Sequence, residues 1–176
     1  MLFDTGRKGR DPVVSVVVLS GRPHCRLADA LGVLPPEHFC IRGASRGEEG
    51  FPGGRMVAVL DEGLSGGLGG GVALPEGCPV ILSGQDAAAV QFARERRLLP
   101  LDCGLSLRDT LTLSSFTESS AVVSLQRPVV RLDGTLLEPV ELPLTLSRRW
   151  ESYPLLCCAG VLLVSGMEGL AGTGIF

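Results

Sequence analysis

A chain of 176 residues, 45% hydrophobic and 20% charged, has enough apolar material for one packed core and too much of it for intrinsic disorder. Its formal net charge is -3, with 8 basic and 6 acidic residues in positions 1–55 and 8 and 13 in the remainder. Neither part has the positive excess that phosphate-backbone binding needs, which argues against nucleic acid as a partner. The apolar runs at 13–19 and 155–164 fall short of the roughly 20 residues that span a bilayer, so no membrane insertion is expected. The first run follows Arg7, Lys8, Arg10 and Asp11, as a signal peptide would. It is short and Val-rich, however, and Gly21-Arg22-Pro23-His24 stands where a small-residue cleavage site belongs. The expectation is a cytoplasmic protein. The six cysteines (25, 40, 78, 103, 157 and 158) include an adjacent pair that suits few disulfide frameworks. They read as small buried hydrophobes in a reducing compartment.

Residues 1–12 form a charged N-terminal arm. Residues 13–19 are β-branched and nearly continuous, the pattern of a strand covered on both faces. Ser20, Gly21, Arg22 and Pro23 turn the chain, and a helix is predicted from His24 to Leu31, stopped by Gly32. A second buried strand spans 56–60 and ends in Asp61-Glu62; a third spans 79–82. Ser83-Gly84-Gln85-Asp86 then opens an Ala-rich helix over 87–97. This β-turn-α grammar belongs to a mainly parallel sheet flanked by helices. After Pro100 short strands are predicted at 101–103, 110–115, 121–126, 129–132 and 140–146, with Asp133-Gly134 as a hairpin turn between the last two. They fit an antiparallel extension of the sheet. An apolar helix closes the chain over 150–166, with Pro154 tolerated in its first turn, and the Gly-rich tail 167–176 is predicted to be loose. The fold class is therefore α/β in one domain.

The order of these elements resembles the central domain of the Mur ligase family, the ATP-dependent amide ligases of peptidoglycan precursor synthesis. Residues 16–24 lie where that family has its TGTNGKTT phosphate loop. Residues 56–61 are similar to its magnesium strand, with Asp61 at the acid position, and residues 80–86 to a worn NADDP segment ending at Asp86. Residues 110–146 and 153–166 match the hairpins and closing helix in order. The resemblance implies a P-loop-like topology but not the chemistry. A phosphate loop needs glycines, a lysine for the β/γ-phosphates and a hydroxyl for Mg²⁺. The single lysine, Lys8, precedes the first strand, and Arg22 beside Pro23 does not rebuild the cradle. No DHLD-like segment appears, because both histidines (His24, His38) lie upstream of Asp61. No downstream lysine can be carbamylated into a metal ligand. The expectation is a degenerate domain without ligase activity, needing no cofactor.

Other chemistry is thinner. Gly66-Gly67-Leu68-Gly69-Gly70-Gly71 follows a strand, but Val72-Ala73-Leu74-Pro75 cannot start the helix a dinucleotide fingerprint requires. His24, Cys25, His38 and Cys40 supply four N/S donors, the number a tetrahedral zinc ion takes, at a spacing no common finger uses. Cys25 near a helix start would be an activated nucleophile only if a base faced it. Arg94 to Arg97 read as the solvated end of a helix.

Three functional readings follow. The leading one is a non-catalytic Mur-ligase-like binding or scaffolding protein, whose ligand residues would be Ser20, Gly21, Arg22, Asp61 and Asp86. The second is a small-molecule or nucleotide-binding enzyme using an acidic crevice at Asp61 and Asp86, at the strand ends where α/β folds bind ligands. The third is a metal-binding protein using the His/Cys quartet. Because the closing helix is apolar on more than one stripe, self-association or a protein partner using this helix and the 140–146 strand is expected, the alternative being burial of both faces within the monomer.

Overall fold

The computed structural model describes residues 13–21, 25–44, 54–63 and 73–176. Ten strands and three α-helices follow in the order β1 (Val14–Leu19), α1 (Arg26–Leu31), β2 (Phe39–Ala44), β3 (Met56–Leu60), β4 (Pro79–Ser83), α2 (Ala87–Glu95), β5 (Leu99–Cys103), β6 (Leu111–Phe116), β7 (Ser120–Leu125), β8 (Val129–Val130), β9 (Leu136–Leu137), β10 (Val140–Thr145) and α3 (Ser152–Ser165). A 3₁₀ turn at Glu168–Thr173 follows α3. Eight strands form one mixed sheet in the order β10-β7-β6-β5-β4-β3-β1-β2. From β2 through β6 every pairing is parallel; β7 and β10 add the antiparallel extension.

Alternation along the strands sends side chains to two cores. Val14, Val16, Val18, Val57, Val59, Ile81 and Leu101 face α1 and α3, while Val17, Leu19, Ala58, Leu60, Val80 and Leu82 face α2. Both sets are buried, which is why β1, β3 and β4 read as continuous apolar runs. Asp86 starts α2 by accepting hydrogen bonds from the N–H groups of Ala88 (3.0 Å) and Ala89 (3.2 Å). The helix stops at Glu95, two residues before the expected end, and Arg97 turns away with φ +53°. In α3, Pro154 sits in the first turn, where its missing N–H has no intrahelical partner to lose, and Gly166 closes the helix in the left-handed region at φ +74°.

Four expectations need correction. Residues 39–44 form a parallel edge strand beside β1 that the sequence pattern did not announce. The Asp133-Gly134 turn joins β8 to β9 in a separate two-stranded sheet, whereas β10 pairs with β7. The tail is docked: Phe176 is buried with its ring 5.7 Å from Trp150, and Ser147 N donates to Phe176 O at 2.7 Å. Finally, α3 keeps no spare apolar face. Every residue from Leu155 to Ser165 is buried within the chain, between the sheet, α1 and the 3₁₀ turn. The surplus stripe that suggested self-association is covered by the chain's own tail and α1.

Candidate functional site

Strand β1 lies between β2 and β3, so the chain leaves β1 through α1 toward one edge, while β3 continues toward β4 on the other side. Such a divergence leaves a crevice beyond the carboxyl ends of the two strands, the usual ligand position of open α/β sheets. A cavity of about 410 Å³ occupies this place, lined by Arg26 and Leu27 of α1, Asp61 and Glu62 after β3, and Glu151, Tyr153 and Pro154 at the start of α3.

Parallel pairing extends one residue past the strands, through Asp61 N donating to Leu19 O at 2.9 Å. It sets Ser20 beside Asp61, and Ser20 Oγ donates to Asp61 Oδ2 at 2.8 Å. Asp61 is 8% exposed, a carboxylate held at the rim of the core. Tyr153 reaches from α3 to the end of β3 and donates its hydroxyl to Leu60 O at 2.5 Å. Burial pushes the phenol far above its ordinary range, reinforced by the neighbouring Cys157, so Tyr153 is a neutral donor and not a base. Among the described residues the charged lining comprises three carboxylates (Asp61, Glu62, Glu151) and one guanidinium, Arg26, which pairs loosely with Glu151 at 3.8 Å. This crevice favours neutral or cationic groups and opposes a polyphosphate.

Of the expected ligand residues, Ser20 and Asp61 meet, and Gly21 follows Ser20 as an exposed bend. Arg22 lies outside the described residues, as do the 66–71 glycines. Asp86 does not line the crevice; its carboxylate caps α2, which packs on the opposite face of the sheet. In the His/Cys quartet, His24 lies outside the described residues. Cys25 packs against the α1/α3 core together with Phe39 and Ile41, so alternation puts Cys40 on the other face of β2. Among the described residues no group of three His, Cys, Asp or Glu side chains is placed to hold a metal ion. Burial raises the thiols of Cys103 and Cys157 well above the usual range, Cys78 to about 11 and Cys158 to about 12. These four are inert packing groups. The sequence reading missed Arg26, Glu151 and Tyr153. Their only signal was position, since all three lie in the first turns of predicted helices.

No helix among the described residues is long and apolar enough to cross a membrane. Comparison with protein-family models, with curated proteins and with solved structures finds no match for this chain.

Proposed function

We propose that this chain is a non-catalytic binding domain, similar in element order to a Mur ligase central domain stripped of its phosphate machinery, with the switch-point crevice as its ligand site. The observation that carries this reading is the Ser20–Asp61 hydrogen bond at 2.8 Å. It joins the segment that would be the phosphate loop to the carboxylate that would hold magnesium. That carboxylate thus serves the fold, and the crevice around it is acidic. The chain has no lysine after Lys8 to draw phosphate in. The lining also supports binding over turnover: Tyr153 is held neutral, and among the described residues the cavity presents neither a cysteine nor a histidine.

The test sets turnover against binding in one preparation. Mg²⁺-ATP is expected to give no hydrolysis and no heat of binding, whereas small amines from a fragment set should bind the crevice by ligand-observed NMR. That binding should weaken in Asp61→Asn and Glu62→Gln. Magnesium-dependent ATP hydrolysis that Asp61→Asn abolishes would overturn the reading.

A further inference from the structure

We propose that a second groove, which adjoins the crevice and shares Arg26, Glu151 and Pro154 with it, binds a compact oxyanion carried on a flat apolar group. The groove encloses about 200 Å³ between α1 and the segment that leads into α3. Its basic residues are Arg26, Arg148 and Arg149; Trp150, Ala30 and Pro154 supply apolar wall. Arg148 is the centre of the proposal. Its guanidinium lies over the Trp150 ring, 4.3 Å from the centroid, and among the described residues makes no ion pair or hydrogen bond. A guanidinium held over an aromatic face gives up some of its freedom and keeps its N–H groups for a carboxylate or phosphate, which it can grip through two bonds.

The flanking arginines can join at little cost. Arg149 pairs with Glu118 at 3.2 Å and Arg26 with Glu151 at 3.8 Å, and all four side chains are at least three-quarters exposed. Exposed pairs of this kind contribute little and exchange partners readily. Asp29 and Glu151 also line the groove. They repel extended polyanions and restrict the ligand to one compact head, whose apolar body lies along Trp150 and Pro154.

Trp150 is the single tryptophan of the chain, so emission excited at the red edge, where tyrosine does not absorb, reports on the surroundings of this residue. The probes are phenyl phosphate and benzoate, with inorganic phosphate to remove the apolar body and benzylamine to reverse the charge. Phenyl phosphate or benzoate is expected to change the emission saturably, the stronger of the two identifying the head group, with inorganic phosphate weaker than either. Arg148→Gln should weaken binding about tenfold or more, Arg148→Lys less. Arg108→Gln, which removes an equal charge outside the groove, should change it little. Circular dichroism checks that each variant is folded. No saturable response to either anion, an equal response to benzylamine, or an equal loss in Arg108→Gln overturns the proposal.

Discussion

Gly104→Ala should destabilise this protein although its backbone is free of strain, because a methyl group there would displace a buried carboxylate. The loop from β5 to β6 is organised by two aspartates. Asp102 accepts from Thr110 N at 3.0 Å and from Thr110 Oγ1 at 2.6 Å, and Asp109, only 6% exposed, accepts from Ser106 N at 2.8 Å. A Cβ on Gly104 would stand 2.2 Å from Asp109 Oδ2, and one on Gly84 2.5 Å from Oδ1. Neither glycine has a positive φ, so an alanine at either would otherwise gain about 0.4–1 kcal/mol from a stiffer unfolded chain. Expelling Asp109 forfeits a charge-assisted hydrogen bond, about 1.5–3 kcal/mol, and local overpacking adds about 1–3 kcal/mol. The net expectation is a loss of about 3 kcal/mol for Gly104→Ala and about 2 kcal/mol for Asp109→Ala. With the carboxylate gone the added methyl has room, so the double variant should be no less stable than Asp109→Ala, a coupling of about 3 kcal/mol. Urea unfolding at constant m-value measures all four corners of the cycle. Additive losses, or a neutral Gly104→Ala, would refute the reasoning.

Gly160 brings α3 close to the sheet, a Cβ there lying 3.0 Å from Ile81 Cδ1 and 3.1 Å from Leu101 Cδ2. Gly160→Ala should change stability by less than about 1 kcal/mol, since helix propensity offsets the squeeze, whereas Gly160→Leu should cost several kcal/mol or prevent folding in the same urea assay. Disulfide-exchange labelling of the native protein should modify Cys25 and Cys40 quickly and leave the buried Cys78, Cys103, Cys157 and Cys158 protected until denaturant is added. The raised thiols bind protons more tightly folded than unfolded, so their contribution is complete below the unfolded thiol value near pH 9 and is lost as pH climbs toward the folded values of about 11 for Cys78 and about 12 for Cys158. Stability should therefore fall above pH 9 by about 1.4 kcal/mol per pH unit for each such thiol, and an unchanged melting temperature between pH 8 and pH 10.5 would contradict this. Tyr153→Phe, which removes the donor to Leu60 O, should cost about 1–2 kcal/mol with the fold intact by circular dichroism.

The parallel half of the fold was legible because burial on both faces leaves a strong mark. Residues 56–60 carry nothing but apolar side chains, and their boundaries matched β3 to the residue. Asp86 stood where a cap should, and α2 began one residue later. Strand β2 was missed for the opposite reason. It is an edge strand whose middle positions are half-buried or exposed, and its Cys40, Arg42 and Gly43 carry no alternating signal. The tail was misread because its glycines indicate freedom locally, while Phe176 and Ala171 are fixed by docking against distant elements. The Asp133-Gly134 turn was correct as local chemistry, with Asp133 accepting from Thr135 N at 2.9 Å. Its partner strand has only two residues, too few to register as a period.

The site depended on information that no single segment contains. Strand ends were readable, so Ser20 and Asp61 could be named, but their meeting requires β1 and β3 to be neighbours, which is a property of strand order. Asp86 ends up apart from them because the chain leaves β4 onto the α2 face, whereas the crevice opens on the face of α1 and α3. The same parity separates Cys25 from Cys40. The crevice takes its charge from Arg26, Asp61, Glu62 and Glu151, gathered by three elements spread over most of the sequence. What holds Asp61 in that company is register. Val57 and Val59 face α1 and α3, so Asp61, two residues further on, faces them too. A one-residue slip of β3 against β1 would send Asp61 toward α2 and break its bond with Ser20.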